Sequence, residues 1–404
     1  MAGTPPRVAL RAFAPRVDEA VLADLRERLA RARFPDAFDD PGWSYGTSAS
    51  YLRELCAHWR DAFDWRAVEA RLAAWPHGMA TVEDERGVLD VHFLDARSPE
   101  PDAFPLVLVH GWPGSILEFL DVLPLLVDPR AHGADPRDAF HVVCPSIPGF
   151  GFSPPPRATG TDPRRVARAF AALMGALGHA RYGAQGGDYG SVVSTLLGVE
   201  DAAHCAALHL NMVLAGPPKD AADPLAGVSE EELARLAHTR ENARTETGYY
   251  AIQSTKPQSL GHGLADSPVA LAAWLVEKFR AWSDCGGDVE RRFTKDALLA
   301  NATLYWATNT IASSCRLYAE QARMGSFRPS AVPTAAAIFP GEPIRPPRAW
   351  AEARYPNLVR WTEMPRGGHF AAMEEPALLA EDVRAFFRAF RANGADGAVG
   401  SNGA

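Results

Sequence analysis

With 404 residues, 47% of them apolar and 22% charged, the chain is long enough to bury a large core and too apolar to remain disordered. Its formal charge of -8 comes from scattered acids, and no basic stripe alternates with aromatic residues, so neither nucleic acid nor an anionic membrane surface is expected as a partner. The opening MAGTPPRVALRAFAPRVDEA sets prolines and charges where a signal peptide needs an unbroken apolar run. No later stretch reaches the roughly 18 apolar residues of a membrane span, and a cytoplasmic protein is expected. The five cysteines (Cys56, Cys144, Cys205, Cys285 and Cys315) are odd in number, widely spaced and free of any CxxC pair. That pattern suits buried reduced thiols better than disulfides or a zinc site.

In chain order, the first hundred residues read as a helical extension that also starts a sheet. VDEAVLADLRERLARARF, from Val17 to Phe34, places Val21, Leu22, Leu25 and Leu29 on one helical face, and a second amphipathic helix is predicted from Tyr51 to Trp75. Two alternating runs, Ala80 to Glu83 and Val88 to Leu94, flank the turn-prone DERG and predict a hairpin. Residues 101–214 then have the rhythm of a parallel sheet with crossover helices. Strands are predicted at Pro105 to His110, His141 to Ser146, Arg181 to Gln185 and Ala206 to Met212, with helical segments separating the first three.

Residues 215–328 are helix-rich and carry Trp274, Trp282 and Trp306. An insertion between strands of one sheet is placed to act as a lid over the strand C-termini, where open α/β sheets bind ligands. The tryptophans fit either a bulky apolar pocket or ordinary packing. Strands return at Pro333 to Phe339 and Leu358 to Met364 within residues 329–392. The last helix runs to about Arg391, and NGADGAVGSNGA at 393–404 is expected to be a disordered tail.

The segment RYGAQGGDYGS, Arg181 to Ser191, runs a strand through Gly186-Gly187-Asp188-Tyr189-Gly190 into a helix. Small residues on both sides of one side chain are the spacing of a nucleophile elbow, here with a carboxylate in place of serine. A carboxylate at a helix N-terminus is favoured in its ionised form and needs no base to attack carbon. Taken alone, the segment also suits a helix-capping Asp or a glycine-rich nucleotide turn. His110-Gly111-Trp112-Pro113-Gly114-Ser115, after the strand PLVLVHG, supplies one N–H of an oxyanion hole, and the residue after the nucleophile supplies the other. This assigns Trp112 and Tyr189, with His110 as a brace for its loop. A base should come late in the chain, and His369 in Met364-Pro365-Arg366-Gly367-Gly368-His369 meets that order among twelve histidines. Its acid partner is Glu342, in the loop after Pro333 to Phe339, with Glu363 inside the last strand as the rival.

The segments HGWPGS, PSIPGFGFS, QGGDYGS, GYYAIQSTKP, DSPVALAAWLVEKF, FPGE and RGGHFAAMEEPALLAEDVRAF together resemble the microsomal and juvenile-hormone epoxide hydrolase family over nearly the whole chain. The resemblance implies an α/β-hydrolase fold, a mostly parallel sheet with helices on both faces, a helical lid and an N-terminal helical extension. It implies conversion of an epoxide and water to a vicinal diol with no cofactor and no metal, the only partner being the small-molecule epoxide. Asp188 matches the family's nucleophile, Glu342 its acid and His369 its base. Tyr249 and Tyr318 match the two lid tyrosines that hold the epoxide oxygen, with Tyr250 adjacent to the first. Two departures stand out: Tyr189 replaces the family's usual Trp after the nucleophile, and no N-terminal membrane anchor is read. A haloalkane dehalogenase shares the elbow aspartate but needs halide donors in place of acidic hydroxyls. A silent ligand-binding homologue would have little reason to keep the three catalytic groups. Substrate, selectivity and a detoxifying or biosynthetic role stay open, and a homodimer is compatible with the sequence.

Overall fold

The computed structural model describes residues 6–39, 42–218 and 221–391. Among these, nine strands form one sheet: β1 (Arg7–Ala12), β2 (His77–Asp84), β3 (Gly87–Ala96), β4 (Phe104–Val109), β5 (Phe140–Pro145), β6 (Tyr182–Gly186), β7 (Cys205–Leu210), β8 (Thr334–Ile338) and β9 (Leu358–Glu363). The order is β1-β2-β3-β5-β4-β6-β7-β8-β9. The first three strands and the β3/β5 pair are antiparallel, and every pair from β5 to β9 is parallel.

β4 shows why the parallel half reads so clearly in the sequence. FPLVLV is apolar throughout because both sheet faces are covered: Leu106 and Leu108 pack into one core cluster, while Val107 and Val109 pack into the other. Helices Pro163–Ala176 and Tyr189–Glu200 belong to the Val107 side, and helix Pro376–Phe387 to the Leu106 side. The hairpin turns at Asp84 to Gly87, as DERG predicts, and Gly87 has φ 104°.

The structure departs from the sequence reading in three places. β1 is an edge strand that was not anticipated; it pairs with β2 from Arg7 opposite Glu83 to Ala12 opposite Gly78 and keeps most of its side chains in solvent. The helix predicted from Tyr51 to Trp75 is two helices, Ala49–Asp61 and Trp65–Ala73. Asp64 starts the second by accepting a 2.8 Å hydrogen bond from the Arg66 N–H. Between β4 and β5 the connection holds only one five-residue α-helix, Leu123–Val127, amid 3-10 turns. The predicted tail at 393–404 lies outside the described residues.

Among the described residues, six α-helices come between β7 and β8: Glu230–Thr245, Gly248–Thr255, Pro257–Asp266, Pro268–Ala281, Lys295–Thr308 and Ile311–Met324. The fifth is buried from Leu298 through Tyr305, because it lies between the other helices and the loop after β4. No helix among the described residues is long and apolar enough to cross a membrane.

Candidate active site

Asp188 stands between β6 and helix Tyr189–Glu200 with φ 48° and ψ -127°, a conformation that costs a side-chain-bearing residue about 1–3 kcal/mol. The surroundings hold it there. A side chain at 190 would run into the Val109 carbonyl, and one at 186 into the backbone of Gly190, so the turn closes only with glycine on both sides. The carboxylate is thereby lifted off the sheet at the N-terminal end of a helix, where unpaired N–H groups favour negative charge.

The structure brings Asp188, His369 and Glu342 together. His369 Nδ1 donates to Glu342 Oε2 at 2.8 Å, and its Nε2 lies 3.5 Å from Asp188 Oδ2. Glu342 follows β8, as expected, and is 2% exposed. Glu363, the rival acid, ends β9 in solvent, bonded to Arg235 and Trp361. Burial alone would lower the His369 pKa. The charges and hydrogen bonds of Glu342 and Asp188 outweigh it and hold the imidazolium well above its ordinary value.

The Trp112 N–H donates to Asp188 Oδ1 at 2.8 Å, and Tyr189 opens the helix directly after Asp188. Trp112 is fixed by its loop. Asn301 donates to the Pro113 carbonyl at 2.6 Å and accepts from the Ser115 hydroxyl at 2.8 Å, while the Tyr305 hydroxyl donates to the Gly114 carbonyl at 2.7 Å. His110 braces the same region. It accepts from the Ile147 N–H at 3.1 Å and lies 3.0 Å from the Gly111 carbonyl, and burial lowers its pKa to about 4, so it stays neutral.

Over Asp188 the lid contributes an aromatic wall. Tyr249 stacks on Trp112 with centroids 5.2 Å apart and planes 4° apart, and Tyr318 meets Trp112 edge-on at 5.8 Å and Tyr189 at 4.8 Å. The Tyr318 hydroxyl is buried with no hydrogen-bond partner among the described residues. Burial first, and then nearby groups that include the Asp188 charge, raise both phenols, so each is a neutral donor. Tyr250 is 40% exposed and touches Tyr318 from outside. Of the three lid tryptophans only Trp282 reaches the site, 5.1 Å from Tyr249 and 5.0 Å from His369. Trp274 is tied to Gln253, and Trp306 lies under Arg28. The Lys278 ammonium sits over Tyr249 and Trp282, held by Glu246 and Glu277.

Two carboxylates here escaped the sequence reading. Glu374 is buried and accepts from the N–H groups of Asp284 and Phe370, at 2.8 and 3.1 Å. Burial raises its pKa to about 7 against those bonds. With Asp284 and Arg292 it ties the lid to the His369 loop, whose own N–H donates to the Trp282 carbonyl at 2.9 Å. Glu118, in the turn Ile116–Phe119, reaches back beneath the loop after β4. Its signal was a lone acid in the otherwise apolar ILEFL. Among the described residues, no group of three or more His, Cys, Asp or Glu side chains is arranged to hold a metal ion.

Sheet order, elbow and inserted lid define an α/β-hydrolase, and a profile described as alpha/beta hydrolase fold matches residues 105–376. A second profile, epoxide hydrolase N terminus, matches residues 10–119. The chain is 38% identical to epoxide hydrolase 1 of Sus scrofa over 94% of this chain and 88% of that one. It superposes on the crystal structure of juvenile hormone epoxide hydrolase from Bombyx mori with a TM-score of 0.86, at 30% identity and with 96% of each chain covered. For the Aspergillus niger epoxide hydrolase structure the TM-score is 0.83 at 32% identity, covering 94% of this chain and 96% of that one. The chain belongs to the epoxide hydrolase family, and its activity is the hydrolysis of epoxides.

Proposed function

We propose that Asp188 opens the epoxide by attacking one ring carbon, forming an ester that His369 and Glu342 then hydrolyse. The observation that carries this reading is the division of labour on one carboxylate. Oδ1 accepts from the Trp112 N–H at 2.8 Å, and Oδ2 makes no shorter contact than the 3.5 Å to His369 Nε2. The held oxygen becomes the ester carbonyl, and the other forms the new C–O bond.

Ring opening also needs a proton on the departing alkoxide. The phenols of Tyr249 and Tyr318 supply it, and the unpartnered Tyr318 hydroxyl is the donor waiting for an acceptor. Alkylation removes the Asp188 charge, and with it one of the two anions that keep His369 protonated. The imidazolium gives its proton back to the phenolate left by ring opening, and the neutral imidazole then takes a proton from water. The resulting hydroxide adds to Asp188 Cγ and the oxyanion rests on the N–H groups of Trp112 and Tyr189; as it collapses, the Cγ–O bond to the substrate breaks, the departing alkoxide takes a proton from His369 to complete the diol, and His369 regains one from the Asp188 carboxyl. Aromatic rings from Trp112, Tyr249, Tyr318 and Trp282 line this space, which favours epoxides with an apolar, flat substituent. All five cysteines are buried free thiols, which suits a reducing compartment such as the cytoplasm.

Enzyme quenched in acid during turnover of styrene oxide should carry the substrate's mass on the peptide containing Asp188. An unmodified protein at every quench time would contradict the covalent route.

A further inference from the structure

Resting on the covalent reading above, a second half of the hydrolytic site emerges behind the nucleophile. A cavity of about 20 Å³ lies there, lined by Glu118, Asp188 and His369 among others. Roughly 10–15 Å³ is enough for one water molecule, provided that polar groups face it. Most of the polar lining is already committed. Gln185 donates to Asn211 at 2.7 Å, His110 is bonded on both nitrogens, and Asp188 Oδ1 holds the Trp112 N–H. The titratable groups left facing it are His369, whose Nε2 also lies 3.5 Å from Asp188 Oδ2, and the Glu118 carboxyl.

Glu118 is built into this place. Its carboxyl packs over Gly114, where any side chain would collide with Oε1, and it takes backbone hydrogen bonds at Gly111 and Ser115. We infer that Glu118 holds the hydrolytic water, accepting one of its hydrogens while His369 accepts the other. A water gripped by both hydrogens turns a lone pair toward Asp188 Cγ. His369 Nε2 then removes one proton, the oxygen bonds to Cγ, and the other hydrogen stays directed at Glu118, which gains and loses no proton overall. Burial, then the neighbouring Asp188 charge, raise the Glu118 pKa to about 8 against the influence of His369. A neutral carboxyl still accepts through its carbonyl oxygen, and adds no third anion beside Asp188 and Glu342.

The role is in the second half-reaction only, which separates it from a structural one. Single-turnover quench experiments with styrene oxide and intact-protein mass spectrometry read alkylation and ester hydrolysis independently. In Glu118→Met, ester hydrolysis should slow about 10²-fold, the scale for a misplaced reactant, with alkylation within about twofold of the parent. kcat and KM then fall together and kcat/KM holds. Glu118→Gln, which keeps a carbonyl acceptor of the same shape, should recover most of the hydrolysis that the Met variant loses. Hydrolysis at the parent rate in Glu118→Met, equal slowing of both steps, or a Gln variant as slow as Met would each overturn the assignment. His369→Gln is the control. Ester accumulating there but not in Glu118→Met removes Glu118 alone, whereas no ester in either removes the covalent reading and this inference with it.

Discussion

The two halves of the site are held by different physics. Asp188, Glu342 and His369 sit on turns at strand ends, and their side chains are fixed by short bonds: 2.8 Å from Trp112 N to Asp188 and 2.8 Å from His369 to Glu342. Tyr249 and Tyr318 are carried by lid helices and positioned by ring contacts of 5–6 Å with Trp112, with each other and with Trp282. Hydrogen bonds with steep distance and angle dependence define one half. Aromatic packing, more tolerant of small shifts, defines the other, and a wall of that kind can accept differently shaped substituents over an unchanging carboxylate. On this account the sheet half owns ester formation and hydrolysis, and the lid half owns protonation of the epoxide oxygen.

The comparison can be broken most severely at Asp188. Asp188→Ala removes the attacking atom and should lower epoxide turnover by at least about 10⁴-fold, the scale seen when a member of a nucleophilic triad is lost. Steady-state diol formation checks it, and residual activity within about tenfold of the parent would contradict the assignment. Next, His369→Gln should leave alkylation intact and stop hydrolysis, so that one equivalent of substrate-sized mass accumulates on the protein. The lid half is tested by the Tyr249→Phe/Tyr318→Phe double variant. Loss of general acid catalysis predicts ring opening slower by about 10²–10⁴-fold, and ester already formed should hydrolyse at the parent rate. Slowing of both steps alike would erase the division between the halves.

The smallest effect on chemistry comes from the framework beneath the sheet half. Asp382 is buried on helix Pro376–Phe387, accepting from Arg360 and Thr362 of β9 and lying 2.9 Å from His209 Nε2 of β7. Burial opposes its ionisation, yet His209, Arg360 and Thr362 hold its pKa well below the ordinary 3.8. A lowered carboxylate stabilises the fold above its unfolded value and loses that contribution as pH falls through the folded one. Asp382→Ala should therefore cost about 3 kcal/mol near pH 7 by stranding its partners. The difference in Tm from the parent should narrow below pH 3.8. Thermal unfolding across pH gives the readout, while single-turnover rates at low temperature should change little.

How legible each half was follows from the same contrast. The elbow, FPGE and the glycine turn before His369 stand at strand ends, where local sequence must satisfy unusual backbone geometry, and that demand leaves a mark: Gly186 and Gly190 cannot be anything else. The buried strands β4, β5, β7 and β8 read as largely apolar runs because both faces are covered, whereas β6, YGAQG, is marked by the glycine turn that follows it. β1 escaped because RVALRA buries little and owes its existence to pairing with β2. The break between the helices at 49–61 and 65–73 was marked by Asp64, but apolar periodicity ran on across it. Trp274 and Trp306 could not be told from Trp282 by composition, since only helix packing decides which indole faces Asp188 and His369. Glu118 and Glu374 were hidden for a related reason: each faces a group distant in sequence, Glu118 lining one cavity with Asp188 and Glu374 accepting from the Asp284 N–H.

The most direct test is a single turnover with enzyme in excess in water enriched in oxygen-18. If Asp188 forms the ester and water attacks its carbonyl carbon, the first diol released is unlabelled and the heavy oxygen is found in the Asp188 peptide. Label in that first diol, with an unlabelled Asp188, would mean that water attacks the epoxide itself.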